Sequence, residues 1–148
     1  MKDKKGQVLV EFALVLPILL LFLFGVIDFS RYLYTKNTMN NAARAGARAA
    51  SVITPPPTAV SLRQVSSPAN NIERAINSNV SFNFIDVPSV TYALQITNLA
   101  GANVASGPAQ SGDQVQVTVN WAGFQLLTPV IGRFFSPNVS GGASMRYE

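Results

Sequence analysis

The N-terminal part of the chain contains an apolar run that is long enough to cross a lipid bilayer. Every residue from 12 to 27 is apolar, proline or glycine, and residues 8–10 extend the run towards the N-terminus. A helix over residues 8–27 would be about 30 Å long at ~1.5 Å per residue, which matches the hydrocarbon core of a membrane. The sequence therefore predicts a transmembrane helix over residues 8–30.

The residues in front of this run are basic, with Lys2, Lys4 and Lys5 close to its start. Positive residues beside a span are retained on the cytoplasmic side, so the N-terminus is predicted inside and everything after Ser30 outside. A conventional signal peptide has a small-x-small cleavage site just after its apolar core. The nearest such site here is Ala43-Arg44-Ala45, which is far beyond the run. Conventional signal cleavage is therefore not expected.

A single carboxylate, Glu11, lies at the head of the apolar run. Placing such a charge in lipid costs roughly 2.5–3.5 kcal/mol, so a chain retains one there when a function needs it. Two simpler interpretations stay open: Glu11 reaches the lipid headgroups, or it pairs within its own helix with a group at position 7, one turn away. Asp28 and Arg31, spaced i, i+3 at the other end of the run, predict an interfacial ion pair.

The composition excludes most catalytic and metal chemistry. The chain has no cysteine and no histidine, and its 7 acidic residues are scattered along 148 positions. The usual general base, the thiol nucleophile and most transition-metal ligand sets are therefore missing. The net charge of +4 comes partly from the basic leader, and no basic and aromatic series suggests nucleic-acid binding. We expect a protein that is not an enzyme and has no cofactor, nucleic-acid partner or small-molecule substrate.

Beyond the span, the residues up to 53 are rich in alanine and lack proline, which predicts that the same helix continues outside the membrane. The expected organisation is a leader over residues 1–6, a helix over 7–53 with an amphipathic outer half over 31–53, a linker over 54–67 and a head domain over 68–148. The prolines at positions 55–57 predict the end of the helix. A short helix is expected from Ser67-Pro68, with Ile72, Ala75 and Ile76 on one face.

Apolar and polar residues alternate in several later segments, as expected for half-buried strands. The first starts at Val80 and includes Phe82 and Phe84, two more cover residues 90–97 and 115–121, and a last one covers 143–147. Residues 98–113 are predicted to be a long hairpin loop. The apolar segment over residues 124–135 is expected to close one end of the core, with a short helix that Thr128 caps and Pro129 begins. The alternative is that this segment is an exposed apolar patch that contacts another protein or the membrane. The fold class is α+β: a long transmembrane helix whose alanine-rich half packs on a small antiparallel sheet.

The N-terminal block has further features that match a known pattern. Gly6 is followed after four residues by Glu11-Phe12, then by the apolar run, by Asp28 with an aromatic neighbour, and by ARAGARAA over residues 43–50. This block resembles the TadE-like minor pilins, or pseudopilins, of the tight-adherence (Flp) pilus. Its start is similar to the class III signal of type IV prepilins. In the C-terminal part, only a loose ending near Met145-Arg146 is similar.

The resemblance implies a function and a set of site residues. A prepilin peptidase would cut on the cytoplasmic side between Gly6 and Gln7, and Glu11 with Phe12 would serve processing and assembly. In the filament core the Glu11 carboxylate would neutralise the new α-amine of Gln7 on a neighbouring subunit, because a buried pair of charges is better tolerated than either charge alone.

The implied protein is stored in the bacterial inner membrane by a single span and passes to an extracellular pilus on assembly. Its partners would be the peptidase, other pilins and the assembly platform, and the filament would serve cell adhesion. The alternative is a bitopic inner-membrane protein whose external head binds a partner and whose prepilin-like start is coincidental. An intact N-terminal leader would favour this alternative.

Overall fold

The computed structural model describes residues 4–65, 70–80, 89–105, 107–127 and 137–148. A single long helix is followed by a four-stranded antiparallel sheet of order β1-β2-β3-β4, with a short second helix packed beside it. The predicted α+β fold is therefore confirmed. We call the sheet and the second helix the head. The elements are α1 (Lys4–Ser51), β1 (Val60–Gln64), α2 (Asn71–Val80), β2 (Val90–Thr97), β3 (Gln114–Trp121) and β4 (Val139–Arg146).

Helix α1 has two halves with opposite environments. Its apolar N-terminal half, residues 8–27, which we call the stem, projects away from the head, and most of its large side chains are exposed. Its alanine-rich half packs against the sheet, as the sequence predicted, and also against α2, and Met39, Ala43 and Ala47 are fully buried there. Small side chains allow this close contact. A Cβ added at Gly46 would lie 2.9 Å from Ile76 Cγ1.

The central strands pair without interruption, from Val90 opposite Trp121 to Thr97 opposite Gln114. Alternate residues of both strands face the core, as their sequence pattern predicted. Residues 98–113 connect the two strands, so the predicted hairpin loop is also confirmed. Strand β4 pairs with β3 over Val139–Arg146, and it begins before the expected start at residue 143.

Two sequence-based expectations are wrong. The expected linker over residues 54–67 contains a strand, because β1 pairs with β2 through backbone groups although most of its side chains are exposed. Val80 does not start a strand but ends α2, where it continues the buried series of Ile72 and Ile76 at i+4 spacing. Phe82, Phe84 and the expected helix start at Ser67-Pro68 lie outside the described residues.

A buried carboxylate, Glu73, joins β1, α2 and β2. It is 1% exposed and lies 3.0 Å from Arg63 Nε of β1, while Tyr92 of β2 donates its hydroxyl hydrogen to Glu73 Oε1 over 3.1 Å. The Glu73 backbone N–H donates to the side-chain oxygen of Asn70, which caps α2. These contacts compensate for the desolvation of the carboxylate and fix α2 against the edge of the sheet.

Strand β4 and the last described residues bind the sheet to α1. Gly141 faces the helix so closely that an added Cβ would lie 2.3 Å from the Met39 carbonyl carbon. Lys36 donates a hydrogen bond from Nζ to the Ser140 carbonyl. Further along, the Tyr147 hydroxyl donates to the Ile53 carbonyl over 3.0 Å. The outer half of α1 is thus an integral part of the head's core.

Candidate processing and assembly site

The residues expected to serve processing and assembly all lie in the first turns of α1. Gly6, Gln7, Glu11 and Phe12 are exposed, and Phe12 is 59% accessible. Helical periodicity places Gln7 and Glu11 one turn apart on one face. The Gln7 side-chain amide donates from Nε2 to Glu11 Oε1 over 3.2 Å. The structure therefore brings these two side chains together on a surface that is open to another molecule.

The fold gives no reason for a glycine at position 6. A Cβ added there would meet nothing within 4 Å, and the positive-φ glycines of the described chain are Gly101, Gly107 and Gly112. A glycine inside a helix costs about 1 kcal/mol relative to alanine. Gly25 is similarly unobstructed, but it lies within the apolar run, and membrane helices often contain glycine. Gly6 lies before that run, in the first turns of α1.

Glu11 is the acidic residue within the apolar part of α1. In the described residues, the hydrogen bond that its carboxylate accepts comes from the neutral Gln7 amide. A carboxylate has two oxygens that accept hydrogen bonds, so this contact leaves capacity for a cation. The arrangement can accommodate an ammonium group, whether from the same helix or from another molecule.

The stem is long and apolar enough to cross a membrane. The candidate membrane span lies within Gly6–Ser51, and no residue in the most apolar 18-residue stretch of that helix is buried by the rest of the protein. The core helix of a soluble domain would instead be covered by its own protein. The exposed apolar surface and the helix length together fit a single-pass membrane protein.

The stem meets the head at an anchored junction. The predicted ion pair is present, with Arg31 Nη1 3.6 Å from Asp28 Oδ1. Asp28 Oδ1 also accepts a hydrogen bond from the Leu127 backbone N–H over 2.8 Å. Sequence reasoning missed this contact because the two residues are 99 positions apart and only tertiary packing brings them together.

Aromatic side chains complete the junction. Phe124 is 3% exposed and makes edge-to-face contacts with Tyr32 and Trp121. The Arg31 guanidinium lies 5.7 Å from the centre of the Phe124 ring. Phe124 thus closes this end of the core, as expected for the start of its segment, whereas residues 128–135 lie outside the described residues.

Comparison with known proteins supports the resemblance noted in the sequence. The sequence model of the TadE-like protein family matches residues 6–48, which include Gly6, Gln7, Glu11, Phe12, the stem and most of the alanine-rich half of α1. Neither the curated proteins nor the solved structures gave a match. The TadE-like family is associated with the Tad pilus and is generally non-enzymatic. Residues 6–48 of this chain are therefore similar to the TadE-like family.

Proposed function

We propose that this protein is a minor pilin, or pseudopilin, of a Tad pilus that is cleaved between Gly6 and Gln7 by a prepilin peptidase. The N-terminus faces the cytoplasm, the stem spans the inner membrane and the head lies outside. After cleavage the subunit assists assembly of an adhesive filament, with other pilins and the assembly platform as its partners.

The observation that carries this proposal is the division of α1 into an exposed apolar stem and a packed outer half. A subunit that moves from a bilayer into a filament needs a helix that can exchange lipid for protein contacts without refolding its head. The stem meets this requirement, because its large apolar side chains are mostly exposed. The TadE-like match over residues 6–48 associates the same segment with a pilus system.

Within this proposal, Glu11 pairs with the α-amine that cleavage creates on Gln7 of a neighbouring subunit. The charge of an isolated carboxylate opposes transfer from the bilayer edge into an apolar filament core, whereas a paired charge is tolerated. Before cleavage, the side-chain amide of Gln7 donates a hydrogen bond to one oxygen of the Glu11 carboxylate. That contact is neutral and exposed, so a cation readily replaces it.

The cleavage step is tested by replacing Gly6 with phenylalanine. The variant should accumulate as an uncleaved precursor in the membrane, because the bulky side chain obstructs the peptidase while the open surroundings of Gly6 leave the fold unchanged. Immunoblots of membrane fractions separate the precursor from the mature form. A mature band of normal size and amount from this variant would refute the proposed cleavage site.

The assembly step is tested with Glu11→Ala and, as a matched control, Leu9→Ala on the same exposed part of the stem. Both variants should insert into the membrane, since each retains the apolar run. Only Glu11→Ala should be strongly reduced in sheared pilus fractions, because it removes the charge. Equal recovery of the two variants with sheared pili would contradict the pairing. If the leader is retained on the wild-type protein, the bitopic membrane protein with a partner-binding head becomes the better account.

A further inference from the structure

A cavity of about 320 Å³ lies at the junction between stem and head. Its walls combine the surface of α1 just beyond the stem with aromatic side chains at the end of β3 and in the following loop. The described residues that line it are Ser30, Arg31, Tyr34, Thr35, Trp121 and Phe124. None of the processing residues contributes to it, so it is separate from the proposed cleavage and pairing site.

The position of this cavity along α1 sets its depth relative to the bilayer. Ser30 and Tyr34 lie about 4.5 Å and about 10.5 Å beyond Ile27, the last apolar residue of the stem, at ~1.5 Å per residue. The polar layer on each side of the hydrocarbon core is roughly 5–7.5 Å thick. If the stem spans the membrane as proposed, the cavity therefore extends from the level of the lipid headgroups, at Ser30 and Arg31, to just above them, at Tyr34.

Exposed apolar side chains surround this level of the molecule. Phe29 is 63% exposed, and Leu33, Tyr34 and Leu127 are also exposed. Aromatic and apolar residues at this height are typical of protein surfaces that lie in the membrane interface. These exposed side chains indicate that lipid, rather than bulk water, contacts the junction between stem and head.

Arg31 supplies the hydrogen-bond donors that select the occupant. Within the described part of the chain, its contacts with Asp28 Oδ1 and with the Gln125 carbonyl both use Nη1. A guanidinium has five N–H donors, so Nη2 and Nε retain hydrogens for a further acceptor. Arginine binds phosphate well because its donors match the spacing of phosphate oxygens.

We propose that this cavity binds the headgroup of one phospholipid of the outer leaflet, with the phosphate on Arg31, the rest of the headgroup beside Tyr34, and the acyl chains along the exposed side chains of the stem. The lipid would fix the height and tilt of the head above the membrane before assembly. The inference rests on the proposed membrane span but not on leader cleavage, which the mass of the N-terminus reports independently on the same preparation.

Native mass spectrometry of the full chain, released from nanodiscs, tests lipid retention with two probes. The probes are dioleoylphosphatidylglycerol and dioleoylglycerol, which has the same acyl chains but lacks the phosphate. Wild-type protein should retain one phospholipid and no diacylglycerol. Arg31→Gln should weaken retention about tenfold or more, the factor that corresponds to ~1.4 kcal/mol for a lost hydrogen bond to a charged group.

Arg44→Gln is the matched control, because it removes the same charge from an exposed position of α1 farther from the membrane. It should retain lipid as the wild type does. Arg31→Lys, which conserves the charge, should retain more phospholipid than Arg31→Gln, and this comparison stands even if Arg31→Gln folds poorly. Equal retention of both probes, equal loss in the Arg31 and Arg44 variants, or a second copy of the chain in place of lipid would overturn the proposal.

The depth of the cavity has its own test, because Trp121 is the only tryptophan of the sequence. In phosphatidylglycerol vesicles, a lipid with a nitroxide on the headgroup should quench Trp121 fluorescence more strongly than a lipid with the nitroxide deep in the acyl chain. The reverse order, or no quenching by either label, would place the cavity away from the headgroups and overturn the assignment.

Discussion

At the scale of single residues, the packing of the head on α1 depends on a glycine that the sequence pattern does not distinguish from its neighbour. Gly141 and Gly142 are adjacent in β4, but only Gly141 faces the helix backbone. An added Cβ at Gly141 would lie 2.4 Å from the Asn40 nitrogen, whereas one at Gly142 would meet its nearest atom, Thr118 Oγ1, at 4.0 Å. Backbone atoms cannot move aside as a flexible side chain can, so the two positions should respond differently to alanine.

Gly141→Ala should lower the free energy of unfolding by about 3 kcal/mol, the upper range for overpacking a core. Gly142→Ala should leave it unchanged or raise it by up to ~1 kcal/mol, because alanine loses less backbone entropy on folding. Thermal unfolding of both variants, followed by circular dichroism in the same detergent, makes the comparison. Similar melting temperatures for the two variants would show that β4 does not contact α1 as described.

The buried Tyr92 hydroxyl gives a prediction for alkaline pH. Burial, together with the nearby Glu73 carboxylate, raises the pKa of Tyr92 above its ordinary value of 10.0. A raised folded-state pKa means that the unfolded chain loses the phenol proton first. The stabilisation that the protonated Tyr92 hydroxyl gives the folded state is therefore fully present below pH 10, and it is lost as the pH rises through the folded-state pKa.

Tyr92→Phe should cost about 1 kcal/mol at neutral pH, the typical value of one hydrogen bond. Above pH 10, the difference in unfolding free energy between wild type and variant should shrink, because only the wild type loses the Tyr92 contribution. Denaturant unfolding at pH 7, 9 and 11 provides the measurement. A difference that stays constant across this range would contradict the burial of the phenol against Glu73.

At the scale of elements, the sequence predicted those parts of the fold that have a strong internal period. The apolar run and the alanine-rich segment predicted α1, and alternation predicted β2, β3 and the last strand. The sequence did not predict strand β1, because only five residues form it and most of their side chains are exposed. Such a strand needs no regular alternation of apolar and polar residues. The strand expected at Val80 is wrong because a single apolar residue fits both periods, whereas in the structure Val80 is buried with Ile72 and Ile76 on one face of α2.

The residues of the candidate site and of the junction also differ in whether the sequence alone could predict them. The sequence was sufficient to select Gly6, Gln7, Glu11 and Phe12, because their spacing is local and helical. The junction could be predicted only as far as the local pair of Asp28 and Arg31. Its contacts with Phe124 and Leu127 depend on how the sheet folds back onto α1, and no local pattern encodes that.

The hydrogen bond between the Leu127 backbone and Asp28 predicts that the loop after β3 is protected from hydrogen exchange at the junction. Asp28→Ala should accelerate hydrogen exchange of the Leu127 amide by about 10-fold to 100-fold, as expected for loss of a hydrogen bond to a charged group of ~1.5–3 kcal/mol. Asn37→Ala, on an exposed face of α1, is the control and should leave this amide unchanged. Exchange of Leu127 that is equally fast in the wild type would show that Asp28 does not anchor the loop.

At the scale of the whole molecule, the proposed function depends on one helix serving two environments. The outer half of α1 is fixed in the core of the head, while the large apolar side chains of the stem are mostly exposed. The head does not need to refold when the stem changes surroundings, because its core uses residues beyond the stem. This separation explains how a TadE-like segment over residues 6–48 can be combined with a compact α+β head.

The most direct test of the central claim is the intact mass of the protein purified from its own cells, combined with N-terminal sequencing. The account predicts a mature chain that lacks residues 1–6 and begins at Gln7 with a free or methylated amine, available to the Glu11 carboxylate of a neighbour. A chain that still carries the leader would contradict cleavage at Gly6. A cleaved chain whose Gln7 has cyclised to a neutral lactam would contradict the charge pairing.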